Sequence, residues 1–187
     1  MAKYPRSFVV LSAPSGAGKT TIARKLVERD ANLKISVSAT TRPRRPMETD
    51  GVDYYFLSEA EFRRNLAAGN FVEHEDVHGY HYGTLRSVLE KMIQDGKRPI
   101  FDIDVKGALS IKRLYPESKL IFIKPPSLEE LKRRLQKRHT ESALAIAKRL
   151  RRLNYEYKQA EKFEHIVIND DLDRAVQEIE SIINRKE

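Results

Sequence analysis

The stretch VVLSAPSGAGKTTIARKL, residues 9–26, decides how the rest of the chain is read. An apolar run ends in a turn carrying Gly16 and Gly18, and Lys19 and Thr20 then open a helical pattern. A strand, a glycine-bearing loop and a helix in that order make an anion cradle, because successive backbone N–H groups and the helix N-terminus point at one spot. The glycines supply backbone freedom, Lys19 has the reach for the β- and γ-phosphates of a nucleoside triphosphate, and the Thr20 hydroxyl suits magnesium. The strict pattern G-x-x-x-x-G-K-[ST] asks for glycine at position 13, where this chain has Ala13. An ordinary strand-to-helix turn would leave Gly-Ala-Gly-Lys-Thr unexplained. Ala13, Pro14, Ser15, Gly16, Ala17, Gly18, Lys19 and Thr20 are therefore read as a phosphate-binding loop.

Outward from the loop, apolar runs recur as buried strands: FVVLSA (8–13), PIFDID (99–104), KLIFIK (119–124) and HIVIN (165–169). A helical pattern follows each. Ser58 with Glu61 and Ser127 with Glu130 have capping-box spacing, and Gly69 and Gly96 sit where helices stop. Leu172, Val176, Ile179 and Ile183 share one face of the last helix. Strand and helix in alternation predict an α/β fold, a parallel sheet with helices on both faces. Two regions break the rhythm. KISVSAT, DYYFLS and NFVEHEDV read as strands around one short helix, 59–68, and predict an inserted mixed-sheet lobe. RRLQKRHTESALAIAKRLRR, residues 133–152, crowds arginines around a helix-turn-helix bend at 139–142; alone it reads equally well as a solvated face.

The chain of 187 residues, 40% hydrophobic, is long enough for one substantial core. No apolar run approaches the roughly 20 residues that span a bilayer, and residues 1–7 are charged and interrupted by Pro5, so a soluble cytoplasmic protein is expected. The absence of cysteine excludes disulfides, zinc thiolate sites and thiol nucleophiles. A formal charge of +8 predicts a polyanionic partner: RNA, DNA or a pair of nucleotides. His74, His78 and His81 alternate with Glu75 and Asp76 without a ligand geometry, and they are not read as a metal site.

Taken together, SAPSGAGKTT, SVSATTRPRR, DGVDYYF, FVEHEDVHGYHYGT, FDIDVKGA, RHTES and VINDD resemble the guanylate kinase family, in its order and with similar spacing. The resemblance implies ATP-dependent phosphorylation of GMP on a P-loop NTPase core with a five-stranded parallel sheet, a GMP-binding lobe and a mobile lid. The corresponding division is core 1–33, 85–132 and 155–187, insert 34–84 and lid 133–154. Members of the family carry Gly or Ala at the first loop position, which accommodates Ala13. His139 departs from the family's more usual glycine.

The same resemblance assigns residues. Glu73 and Asp102 would face the guanine N–H donors, Ser38 and Thr84 would supply hydroxyls near O6, and Arg42, Arg45, Tyr54 and Tyr82 would hold the GMP phosphate. Arg44 has no such match and reads as solvent-facing, and Tyr55 and Tyr80 read as packing or surface aromatics. Lys19, Arg42 and the lid arginines Arg134, Arg138 and Arg149 would supply catalytic positive charge. Asn169 and Asp170 would lie near the adenine. Thr20 and Asp104 would hold magnesium, although an aspartate at a strand end also suits a helix cap. Guanine recognition has its own physical logic: a carboxylate opposite two N–H donors rejects adenine, whose N1 is an acceptor. Taken alone, Glu73 would read as a solvent-facing strand carboxylate. The competing readings are a non-catalytic binding module of the same family and a nucleic-acid-binding protein. Lys19 and Thr20 argue against the first; two anionic nucleotide substrates account for the charge that suggests the second. Neither a nucleic-acid partner nor a membrane is expected, and the oligomeric state is left open.

Overall fold

Buried side chains alternate along the strands and so build two apolar cores on the two faces of one sheet. The computed structural model describes residues 8–77, 79–136 and 143–185, with the side chains of 143–149 outside the description. In chain order the elements are β1 (Val9–Ser12), α1 (Lys19–Arg29), β2 (Leu33–Ser36), β3 (Ala39–Thr40), β4 (Tyr55–Phe56), α2 (Glu59–Ala67), β5 (Phe71–Val77) and β6 (Tyr80–Leu85). They continue as α3 (Arg86–Gln94), β7 (Arg98–Asp102), α4 (Val105–Leu114), β8 (Lys119–Lys124), α5 (Leu128–Gln136), α6 (Ala143–Ala160), β9 (His165–Ile168) and α7 (Leu172–Asn184).

Five strands form a parallel sheet in the order β2-β7-β1-β8-β9, as the alternating pattern predicts. Val9 and Leu11 of β1 join Ile22 and Leu26 of α1 and Val176 and Ile179 of α7 on one face. Val10 joins Phe101, Phe122, Ile111 of α4 and Ala160 of α6 on the other. Both faces of the inner strands β7, β1 and β8 are covered, which is why these read as apolar runs, whereas the edge strands β2 and β9 leave Lys34, Ile166 and Ile168 exposed. Each such fully buried Leu, Ile or Phe contributes about 1.5–3 kcal/mol by its removal from water.

The second sheet has four strands, β4-β3-β6-β5, and mixes parallel and antiparallel pairs. Phe62 of α2 stacks on Phe71 at 4.4 Å between ring centroids and fills its small core. α2 starts with the expected reciprocal cap between Ser58 and Glu61. At α5 only half of the expected box forms: Ser127 Oγ accepts from the Glu130 N–H, while the Glu130 carboxylate goes to Arg133 and Arg134.

Two strand readings need correction. KISVSAT is not one strand of the insert, because β2 pairs with β7 in the large sheet and only β3 belongs to the small one. The core sheet therefore claims residues 34–36. In DYYFLS only Tyr55 and Phe56 are strand, fixed by bonds from Tyr55 N to Ser38 O and from Leu57 N to Thr40 O. The bend expected at 139–142, with His139, lies outside the described residues, as does His78. α5 and α6 pack through Leu131, Leu135 and Leu153. Among the described residues no helix is long and apolar enough to cross a membrane.

Candidate active site

The loop between β1 and α1 turns on two left-handed glycines, Gly16 at φ 92° and Gly18 at φ 95°, with Gly18 as the N-cap of α1. A Cβ on Gly18 would lie 2.4 Å from Asn169 Nδ2, and that amide donates to Ala17 O at 2.7 Å. Asn169 thus braces the loop from behind, a more specific place than the neighbourhood of adenine expected for it. Asp170, beside it, is exposed and ion-paired with Arg174.

Lys19 and Thr20, the first residues of α1, converge on one carboxylate. Lys19 Nζ is 2.5 Å from Asp102 Oδ1 and donates to Ile103 O at 2.9 Å, while Thr20 Oγ1 donates to Asp102 Oδ2 at 2.7 Å. Asp102 ends β7, in register with Leu11 of β1, and so faces the loop that β1 feeds. Asp104 is the N-cap of α4, accepting from Gly107 N at 3.0 Å, and it pairs with Arg152 at 2.5 Å. The structure places the two aspartates otherwise than the expected roles would suggest. Asp102, expected at the base, belongs to the phosphate loop; Asp104, expected at magnesium, lies beside Glu73. The reason is local: the strand ends at Asp102, and two residues later the chain has turned into a helix start.

Glu73 is buried, 7% exposed. It comes to its place through a register shift in the β5–β6 pairing, where Phe71 opposes Leu85 but Glu73 already opposes Thr84. The extra residue sends Phe71 into the lobe core and Val72 into the large core, and it leaves Glu73 aimed between them. Thr84 Oγ1 donates to Glu73 Oε1 at 2.7 Å, so its hydroxyl proton is committed to the carboxylate rather than free for O6. A Cβ at Gly107 would lie 2.8 Å from Glu73 Oε2 and 3.4 Å from Asp104 Oδ1, so both carboxylates converge on the start of α4. Burial, with a contribution from the Asp104 charge, pushes the Glu73 carboxyl up to about 7 against the lowering effect of Thr84. Ser38 is buried, between β3 and the chain leaving β2.

Arg42, Arg45, Tyr54 and Tyr82 form a second cluster, organised by a residue that the sequence did not single out. Glu48 Oε1 accepts from Arg42 Nη2 at 2.7 Å, and Glu48 Oε2 accepts from the Arg45 N–H at 2.8 Å. The Arg42 guanidinium lies 5.3 Å from the centre of the Tyr54 ring, and Tyr54 meets Tyr82 edge-on at 6.0 Å. Burial would lower Arg42, but the Glu48 hydrogen bond and Tyr82 raise it overall; burial, with the Asp102 charge, raises Tyr54. Arg44 is exposed and reaches the Glu48 carbonyl. The signal for Glu48 was its spacing, three and six residues after two arginines in a turn.

Of the lid arginines, Arg134 Nη2 donates to Asn169 O at 3.0 Å, its Nε is held by Glu130 at 2.7 Å, and its Nη1 reaches Ala17 O of the loop at 3.5 Å. Arg138 lies outside the described residues, and of Arg149 only the backbone in α6 is described. Among the described residues no cluster of histidine and carboxylate could hold a metal ion; His81 instead stacks on Phe62 and bonds to Asp76 and Glu59.

The family model described as guanylate kinase matches residues 5–186. The chain is 52% identical over 175 residues to a guanylate kinase of Salinibacter ruber, covering 92% of this chain and 93% of that one. It is 44% identical over 174 residues to the guanylate kinase of Thermotoga maritima, covering 93% and 84%. Among solved structures, the guanylate kinase from Anaplasma phagocytophilum superposes with a TM-score of 0.78 at 34% identity, covering 96% of this chain and 85% of that one. A shikimate kinase from Bacteroides thetaiotaomicron, at 13% identity and TM-score 0.51, shares the fold alone.

Proposed function

This chain belongs to the guanylate kinase family, and from that premise we propose that it transfers the γ-phosphoryl group of ATP to GMP or dGMP, giving ADP and GDP or dGDP. It is an ATP-dependent nucleoside monophosphate kinase. A phosphate oxygen of GMP is already a competent nucleophile, so no general base is needed; the protein has to align two anions and neutralise the spreading charge. The loop 13–20 receives the donor phosphates, and Lys19 moves its ammonium from Asp102 onto their oxygens. Arg42 and Arg45, held by Glu48, grip the acceptor phosphate with Tyr54 and Tyr82 as phenol donors. Glu73 and Asp104 accept from guanine N1 and N2, Ser38 supplies a hydroxyl near O6, and Thr84 positions Glu73. Arg134, Arg138 and Arg149 close over the phosphates and exclude water. Asn169 and Asp170 border the adenine side.

The Thr20 hydroxyl and the Asp102 carboxylate, 2.7 Å apart next to Lys19, are hard oxygen donors of the kind magnesium takes, directly or through its waters. Magnesium bound there would neutralise charge on the β- and γ-phosphates. A cytoplasmic location, where both nucleotides are met, is part of the same reading.

One observation carries the proposal. Asp102 meets Lys19 and Thr20 while Asp104 lies beside Glu73, which supports a single three-residue segment serving both substrate sites. The test is a coupled assay of ADP formation with ATP, magnesium and each nucleoside monophosphate in turn. Turnover selective for GMP and dGMP is expected; equal rates with AMP, or no turnover, would overturn it.

A further inference from the structure

Among the arginines crowded into 133–152, Arg133 pairs with Glu130 on its own helix and Arg151 is exposed, but Arg152 reaches across to another element. Arg152 Nη2 donates to Asp104 Oδ2 at 2.5 Å, and its Nε stands 3.3 Å from Glu156 Oε1, one turn along α6. Side-chain exposures of 17%, 17% and 11% for Arg152, Asp104 and Glu156 put this pairing largely out of water, where a guanidinium with fixed partners holds its geometry. The helix cap uses only the other oxygen of Asp104, through Gly107 N. A carboxylate held by one donor on each oxygen keeps a free lone pair on each. Glu73 and Asp104 converge on the same point above Gly107, an arrangement that like charge disfavours without a nearby cation.

We propose that Arg152 is a positioning residue for guanine recognition: it holds the Asp104 carboxylate, against Glu73, at the angle from which it accepts from the 2-amino group of the base. This rests on the reading that Glu73 and Asp104 face guanine. Arg152 touches no substrate; it acts through Asp104, with Glu156 fixing the plane of the guanidinium. Inosine monophosphate, identical to GMP except that it lacks the 2-amino group, isolates the contact.

The experiment measures kcat and KM for GMP and for inosine monophosphate in the wild type, Arg152→Ala, Arg152→Lys, Asp104→Asn and the Arg152→Ala/Asp104→Asn double variant. Thermal unfolding is recorded for each. Arg152→Ala should raise KM for GMP about tenfold or more with kcat little changed, and should alter the inosine monophosphate constants much less. Asp104→Asn should do the same, the double variant should add little to either, and Arg152→Lys should recover part of the loss. Should Arg152→Ala fold poorly, Arg152→Lys and the Asp104→Asn background carry the same comparison. Equal losses for both nucleotides, or no change in either, with Asp104→Asn still selective against GMP, would overturn the role of Arg152 alone. A GMP preference untouched by Asp104→Asn would instead overturn the reading of Asp104.

Discussion

Lys19 Nζ and Asp102 Oδ1 stand 2.5 Å apart, so the cation of the phosphate loop is held by a carboxylate at the tip of β7. On the proposed function, nucleotide binding would draw the ammonium off Asp102 and off the Ile103 carbonyl, leaving Asp102 with Thr20. Lys19 is thus held rather than free, and on the proposed function its contact with phosphate oxygens would strengthen as their charge grows in the transition state. Lys19→Ala should lower kcat by at least about two orders of magnitude while GMP affinity, measured by calorimetry, stays within a few fold. Wild-type activity in that variant would mean the loop is not the catalytic phosphate site.

The legibility of this site in the sequence follows physical range. The loop was readable because its chemistry is local: two glycines, a lysine and a threonine in five residues between a strand and a helix. The parallel sheet was readable because strands dry on both faces are apolar throughout. The β2–β7 pairing was not, since Leu33-Lys34-Ile35-Ser36 alternates apolar with polar residues, as a half-solvated strand of either sheet would, and the tertiary partner decides its sheet. The placement of Asp102 and Asp104 turned on where β7 stops, a boundary that pattern reading fixes least well. Glu73 needed the register shift at Phe71 to become buried, Arg152 meets a partner, Asp104, that is distant in the chain though 2.5 Å away in space, and Glu48 takes its contacts from a turn whose shape composition does not give.

His81 offers a test of how the small lobe is braced. Its ring stacks on Phe62 and its nitrogens reach Asp76 and Glu59, joining the β5–β6 hairpin to α2. Partial burial lowers the imidazole, but the hydrogen bonds to Asp76 and Glu59 outweigh it and leave it raised above its usual value. A group raised on folding stabilises fully below its unfolded value of about 6.5, and that stabilisation disappears as pH rises through the folded one. His81→Gln should therefore lower Tm more near pH 6 than near pH 8.5. A Tm difference independent of pH would show that His81 acts only by packing.

Gly18 tests the loop's geometry separately from its charge. At φ 95°, with Asn169 Nδ2 2.4 Å from the site of any Cβ, Gly18→Ala meets both backbone strain and a displaced amide. The amide would lose its bond to Ala17 O, and the loop its brace. The substitution should destabilise by about 1–3 kcal/mol and raise KM for ATP more than KM for GMP. Urea unfolding and the two KM values check it; an unchanged KM for ATP in a destabilised protein would separate the loop's shape from nucleotide binding.

Glu73 carries the sharpest prediction, because one atom exchange changes what the site can recognise. Its carboxyl stands at about 7 through burial and the nearby Asp104 charge, and only the ionised form accepts from both N1 and N2 of guanine. Below about pH 7, GMP binding must expel a proton, so KM for GMP should rise about tenfold per pH unit on the acid side and level off above. Stability runs the other way: a proton held more tightly folded than unfolded stabilises below the usual carboxylate value, and that contribution is lost as pH rises through about 7. Glu73→Gln replaces one acceptor with an N–H₂ that confronts a donor on the base, while Thr84 can still donate to the remaining carbonyl oxygen. A lost charge-assisted hydrogen bond of about 1.5–3 kcal/mol should cut kcat/KM for GMP roughly tenfold to a hundredfold, leave KM for ATP nearly unchanged and spare AMP, whose N1 is an acceptor. The acid limb of KM for GMP should also vanish, since glutamine does not titrate. The measurements are the GMP-to-AMP ratio of kcat/KM and the pH profile in both proteins, with Tm recorded alongside. An unchanged ratio in a well-folded variant would mean that Glu73 does not read the base, and the lobe built around Phe62 and Phe71 would lose its assignment as the guanine site.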